Sequence, residues 1–343
     1  VVRELTTAAK NATSIVDLTD SAGDLLEDSD GNPIQDPRVV INNRDHWDNG
    51  GVDKTVHGPW IAKWAGELGN TIQVDICTKS GFDASGAGAW PYKGEFDAAP
   101  GTSAYATARG GTGDECHIVV IDAGGKITGT VGAVLERYAF VSMASGAKAP
   151  DGMNNYAADV INNSSQYVWL ADWTDLNIAN AGTDATDTTF GNPGATISTR
   201  LIGGADSAAL TNTEVATGFD LFEDANTIQV DFLIAPGMAD KTEQVSVVND
   251  LASIADTMRK DCVVVTSPDK AAVVNQSDPV TTTTTTVNEF NSSSYLVVDN
   301  NYLKVYDKYN DQYVFIPAAS TTAGVMAATD ANAAPWFSPA GQR

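Results

Sequence analysis

Positive charge is scarce in this chain: 20 lysines and arginines stand against 44 aspartates and glutamates in 343 residues, a formal net charge of −24. Nowhere do lysine and arginine cluster, whereas a nucleic-acid partner needs such clusters to displace counterions from phosphates. DNA and RNA are therefore set aside as partners, and the acidic excess reads as solubility and resistance to non-specific adhesion. Cysteine is sparse too. Cys77, Cys116 and Cys262 are odd in number, widely spaced and each in or beside an apolar run, which suits small buried hydrophobes better than a disulfide framework. No run of 18 apolar residues occurs, so no membrane-spanning helix is expected. His46, His57 and His117 are the only histidines, without His-x-x-x-His spacing, and Cys-x-x-Cys is missing, which removes the usual zinc patterns.

The familiar catalytic signatures are missing as well. There is no Gly-x-Ser-x-Gly, and Gly125-Lys126 fails as a phosphate loop because Ile127 stands where Ser or Thr belongs and Val120 where the first Gly belongs. Asp28-Ser29-Asp30-Gly31-Asn32 starts like a calcium loop, then places Pro33 at the glycine position and Val39 at the bidentate glutamate position, so it reads as a surface turn. Cys116 and His117 are adjacent, but neighbours on a strand point to opposite faces, which assigns one to the core and the other to the surface. Trp60/Trp64 and Trp169/Trp173, each spaced i, i+4, could make a sugar platform; core or subunit contacts are the commoner use. No catalytic, cofactor-binding or metal-ligating residue is assigned, and no cofactor is expected.

What is present is alternation and turn chemistry. Residues 71–77 alternate Ile72, Val74 and Ile76 with polar neighbours, the mark of a half-buried strand. Residues 117–121 and 133–141 repeat the pattern around Asp122-Ala123-Gly124-Gly125-Lys126 and predict an antiparallel pair. Residues 39–41 suggest another short strand, residues 81–113 a long mobile connection, residues 153–165 a helix before a strand over 166–171, and residues 172–204 a loop. Further on, a strand over 227–234, a helix carrying Val245, Val248, Leu251, Ala252, Ala255 and Met258 on one face, and a strand over 262–266 form a βαβ unit with parallel pairing. Six consecutive threonines, 281–286, read as an exposed extended loop. Three short strands over 295–299, 302–306 and 312–316 follow, then a small-residue helix over 323–330. The fold class is α+β, mixed α/β and multidomain.

The last of these segments also carry a resemblance. Asn291-Ser292-Ser293-Ser294-Tyr295, the run from Asn301 to Asp311, Ile316-Pro317, Ala323-Gly324-Val325-Met326-Ala327-Ala328-Thr329-Asp330 and Trp336-Phe337-Ser338-Pro339-Ala340-Gly341 resemble the contractile-tail sheath proteins of myovirus-type, T-even-like bacteriophages. Val1-Val2-Arg3 with Asn11-Ala12-Thr13, Gly66-Glu67-Leu68-Gly69-Asn70 and Arg259-Lys260-Asp261-Cys262 extend the match in order. The resemblance implies a non-enzymatic virion subunit, assembled in the host cytoplasm, that polymerises helically around a tail tube and contracts to drive it through the host envelope. Its implied partners are other copies of itself, the tube, the baseplate and the tail terminator. Against the family pattern the chain reads as a central fragment, expected to be monomeric, without the N-terminal arm and the C-terminal domain. The implied organisation is the start of an inner sheath domain at 1–14, a small loop-rich protruding insertion at 15–59, a middle or outer domain at 60–244 and an incomplete inner domain at 245–343. The reading that competes, from a different class, is a carbohydrate-binding, adhesin-like virion protein.

Overall fold

The computed structural model describes residues 8–14, 39–54, 57–173, 176–238 and 240–341. They fall into two compact units that part between Ala208 and Ala209. The expected limit at 244/245 lies within helix Lys241–Ser253 of the second unit. The calcium-like loop, except Val39, and most of the expected insertion lie outside the described residues.

The first unit contains β1 (Asn11–Thr13), β2 (Trp60–Ala65), β3 (Ile72–Cys77), β4 (Glu115–Asp122), β5 (Ala133–Ser142), β6 (Val168–Leu170) and β7 (Ile197–Arg200). Antiparallel strands in the order β5-β4-β3-β7 form its main sheet. One face, with Ile72, Val74, Ile76, Ile118 and Val120, packs into the largest core; the other, with Cys77, Val119 and Ile121, is buried under Phe82, Trp90 and Phe96. A sheet covered on both faces needs continuous apolar strands, which accounts for the unbroken Ile118-Val119-Val120-Ile121 of β4.

Two expectations are corrected here. The supposed mobile connection 81–113 supplies the second cover of the sheet: it contributes the three buried aromatics Phe82, Trp90 and Phe96, and Trp90 Nε1 donates to Asp75 Oδ2 at 2.9 Å. The supposed loop 172–204 contains β7, which closes the sheet against β3 because Ile197 matches Ile76 in register.

A smaller antiparallel sheet, β1-β2-β6, lies in the same unit. Against it pack Val39, Ile41, Trp47 and Val52, joined by Ile61 and Trp169. Residues 39–41 are not a strand. They are fixed instead by Asn11, whose backbone N donates to Val39 O at 2.8 Å and whose Oδ1 accepts from Ile41 N at 2.9 Å.

The second unit is built on β8 (Phe232–Ile234), β9 (Val263–Thr266) and β10 (Leu296–Val298), all parallel in the order β10-β9-β8. Between β8 and β9 runs helix Lys241–Ser253, continued by a π-helical turn Ile254–Arg259. Asp240 caps its start by accepting from Glu243 N. Val247, Val248, Leu251, Ile254 and Ala255 bury against Leu233 and Val264. β8 is shorter than the expected 227–234 strand. Asp224 draws Asn226 and Thr227 into a turn, and Ile228 O accepts from Arg259 Nη1 at 2.9 Å instead of joining a ladder.

The threonine run is not an extended loop. It lies in helix Pro279–Val287, capped by Asp278 with Pro279 in the first turn. Thr282, Thr284 and Thr285 return their hydroxyls to carbonyls four residues back, and Thr286 is buried and donates to Asp269 Oδ1 at 3.0 Å. Four of the six hydroxyls are thus satisfied within the helix or by Asp269, while Thr283 Oγ1 is buried without a partner, so propensity alone misjudges the segment. Last come the antiparallel pair β11 (Tyr302–Asp307) and β12 (Gln312–Pro317), and helix Ala319–Asn332, longer than the expected 323–330.

Candidate functional site

The residues weighed for chemistry in the sequence do not gather into a reaction centre. Cys116 lies in the main core, and His117, on the opposite face of β4, does not meet it. His117 is nevertheless not a surface residue: it is fully buried, stacked on Phe96 at 4.1 Å with Phe140 edge-on at 4.6 Å. Its Nδ1 accepts from Phe140 N at 3.1 Å and its Nε2 lies 2.8 Å from Ala98 O, which fixes the neutral tautomer with the proton on Nε2. Phe140 adopts φ +52°, an unfavourable region for an aromatic residue, beside a break in the β4–β5 register. Burial lowers the His117 pKa, with the hydrogen bond to Ala98 opposing it.

Gly125-Lys126 belongs to the β4–β5 turn, whose hub is Asp122. Its carboxylate accepts from Thr71 Oγ1 and Thr128 Oγ1 and from the backbone of Lys126, Ile127 and Thr128, all between 2.6 and 3.1 Å. Burial opposes its ionisation, yet the bonds from Thr71, Thr128 and Ile127 win and hold its pKa at about 2. Among the described residues, no three His, Cys, Asp or Glu side chains come together as a metal-ligand group, and no helix is long and apolar enough to cross a membrane.

The tryptophan pairs are rearranged. Trp60 is fully buried in the main core, whereas Trp64, further along β2, is 60% exposed. Trp169 does not pair with Trp173; it stacks on Trp47 at 4.7 Å and 16°. Three cations surround that stack: Lys63 Nζ is 4.1 Å and Arg44 Cζ 5.5 Å from the Trp169 ring, and Lys54 Nζ is 4.4 Å from that of Trp47. The i, i+4 spacing assumes a helix, but Trp60 and Trp64 share strand β2, where residues four apart are separated by about 13 Å, and Trp173 lies beyond the end of β6.

The most exposed apolar surface is on the second unit. The β11–β12 pair is registered from Tyr302 opposite Pro317 to Asp307 opposite Gln312, and no third described strand joins it. One face carries Tyr302, Lys304, Tyr306, Tyr313 and Phe315. Tyr306 and Tyr313 pair across the strands at 5.2 Å, and Lys304 Nζ lies 4.9 Å from the Tyr313 ring. Leu303 and Ile316, on the other face, are also exposed, as are Tyr309 at the turn and Trp336 beyond the last helix, 85% and 83% respectively. A two-stranded hairpin is marginal alone in water, and aromatic residues exposed in one patch are typical of protein contact surfaces. Sequence reasoning identified these strands, but not that their side chains stay exposed on both faces.

The chain thus has an α+β fold in two units, with an exposed aromatic hairpin on the second. In sequence, the chain is a relative of the tail sheath proteins of T-even-like bacteriophages. It is 26% identical over 297 residues to the tail sheath protein of Enterobacteria phage T4, a match covering 82% of this chain and 41% of that one. With the tail sheath protein of Vibrio phage KVP40 it shares 33% identity over 143 residues, 36% of this chain and 21% of that one. For the tail sheath protein of Salmonella phage ViI the figures are 30% over 217 residues, 62% and 30%. The matches thus span between about a fifth and two fifths of each relative's length. No protein-family model matches the chain. Solved sheath tail proteins from Listeria innocua and Desulfitobacterium hafniense overlay 75% and 81% of the chain and 37% and 42% of their own, with TM-scores of 0.35 and 0.34 and identities of 12% and 16%; these levels carry no structural inference.

Proposed function

We propose that the chain is part of a structural subunit of a phage contractile tail sheath, one that polymerises helically around the tail tube and contracts to drive it through the host envelope. The observation that carries this reading is the sequence relationship to a tail sheath protein across 82% of the chain. The hairpin supports it physically: open strands β11 and β12 with exposed tyrosines offer both backbone and side-chain contacts to another chain. Open-ended polymers grow through heterologous contacts, and an interface with two packings stores the free energy that contraction releases. The implied partners are other copies, the tube, the baseplate and the tail terminator. Residues 1–14 and 245–343 are assigned to an inner sheath domain and 15–59 to a protruding insertion, with the βαβ segment from β8 to β9 inside the inner framework.

The test is negative-stain electron microscopy of the longest natural chain containing this sequence. Hollow ringed tubes are the expected outcome. A compact particle that never polymerises, alone or on isolated tail tubes, would overturn the reading.

A further inference from the structure

A cleft of about 490 Å³ in the first unit is lined by Arg44, Lys63, Trp64, Ser165, Tyr167 and Trp169, among others, a volume within the range of ligand-binding sites. Its exposed walls are mainly apolar, with Trp64, Tyr167 and Trp169 among them, and its charged lining residues are both cations, in a chain where acids outnumber bases by 44 to 20. Arg44 pairs with Asp48 at 2.5 Å and donates to Asn162 O and Asn163 Oδ1. Lys63 differs. It donates to the carbonyls of Ser165 and Asn162, both neutral, and among the described residues no carboxylate forms an ion pair with it. Burial and then the Arg44 charge lower the Lys63 pKa, with Glu136 opposing more weakly. Two like charges held beside one apolar cleft disfavour each other, and an anion seated there relieves that cost. Trp64 and Tyr167 also line a second, mainly apolar hollow of about 320 Å³, with Leu68, Ile72, Ile127 and Asp206.

We propose that this cleft receives an acidic side chain from a second copy of the chain, its carboxylate against Lys63 and Arg44 and an adjoining apolar residue in the hollow beside Trp64. The choice of a second copy follows from charge. The molecule is rich in what the cleft lacks, and a carboxylate is the anion that every copy carries in excess. The proposal rests on the sheath reading, in which copies lie against one another. It assigns them a contact on the first unit, separate from the hairpin of the second. Such a contact is selective because a single mispaired charge in it is costly, and salt-sensitive because its rim is open to solvent.

A zero-length carbodiimide cross-link tests it: the Lys63 amine attacks an activated carboxyl, an amide forms and the activator leaves as its urea. An equal mixture of ¹⁴N- and ¹⁵N-labelled chains, concentrated or assembled, separates links between copies from links within one. Mixed-isotope peptides joining Lys63 to an aspartate or glutamate are expected, reduced at least ~5-fold by Arg44→Glu or by raising salt until charges are screened within a few ångströms, and by Trp64→Ala at low salt. Circular dichroism of each variant confirms that it folds. If Lys63 links only within its own chain, or links between copies no more than Lys126 and Lys148 do, the proposal fails. If free N-acetylglutamate protects Lys63 from acylation at concentrations where a second copy gives no link, the cleft is a small-anion site and the proposed occupant is wrong. Either failure leaves the tube test of the sheath reading untouched, and absence of tubes leaves the cross-link result standing.

Discussion

The two units solve the problem of apolar surface in opposite ways. In the first, the main sheet is buried on both faces, and five of its six tryptophans are buried. In the second, the parallel sheet has its own core, yet Tyr306, Tyr309, Tyr313 and Trp336 stay in solvent. Among the described residues, the first unit places its aromatic side chains mostly in cores, while the second leaves an aromatic patch in solvent. The contrast separates aromatic residues that build a core from those left in solvent.

The largest effect expected on this contrast is at Trp60. Trp60→Ala empties the centre of the main core and should cost ~3–5 kcal/mol in urea unfolding followed by tryptophan fluorescence, which reports chiefly on the first unit because six of the seven tryptophans precede residue 209. Tyr313→Ala, an aromatic truncation on the hairpin, should cost under ~1 kcal/mol yet suppress tube formation. Equal stability costs at the two positions would erase the distinction.

Next is Asp122→Ala, which strands five donors in the β4–β5 turn and should cost ~2–4 kcal/mol by the same assay. Arg259 is its counterpart in the second unit. The side chain is wholly enclosed, bonded to Phe222 O, Ile228 O and both Asp261 oxygens. Arg259→Met should cost ~2–3 kcal/mol, read by near-ultraviolet circular dichroism of the tyrosines.

Two buried groups of the first unit, His117 and Asp122, each give a window of pH dependence. His117 has a folded pKa below its ordinary value of 6.5, so the unfolded chain binds more protons below that value and stability falls as pH drops under it. A proton on Nδ1 would also face the Phe140 N–H donor. His117→Phe should flatten this window in a series of urea midpoints. Asp122, held at about 2 against an ordinary 3.8, contributes fully above 3.8 and loses its contribution as pH falls towards 2. The smallest effect is at Thr284 in the threonine helix, an exposed position where Ala is the better helix former: Thr284→Ala should stabilise by a few tenths of a kcal/mol, ~0.3–0.5, in thermal unfolding.

Sequence alone determined what rests on local pattern. The β3 alternation, the β4–β5 pairing, the strand–helix–strand from β8 to β9, the β11–β12 strands and the sheath resemblance all read out because a period of 2 or 3.6, a turn motif or an ordered string of residues is a short-range property. Tertiary structure decided the rest. The 81–113 stretch covers a sheet because three aromatics reach a face that sequence spacing does not show. The threonine run is helical because Asp278, Pro279 and the Asp269–Thr286 bond override weak propensity. His117 is buried because both faces of its sheet are, and Trp169 meets Trp47, from the short helix Arg44–Asp48, and Lys63, from β2, both distant in sequence. A side chain's environment is set by segments that arrive from elsewhere in the chain, and no local pattern records their arrival.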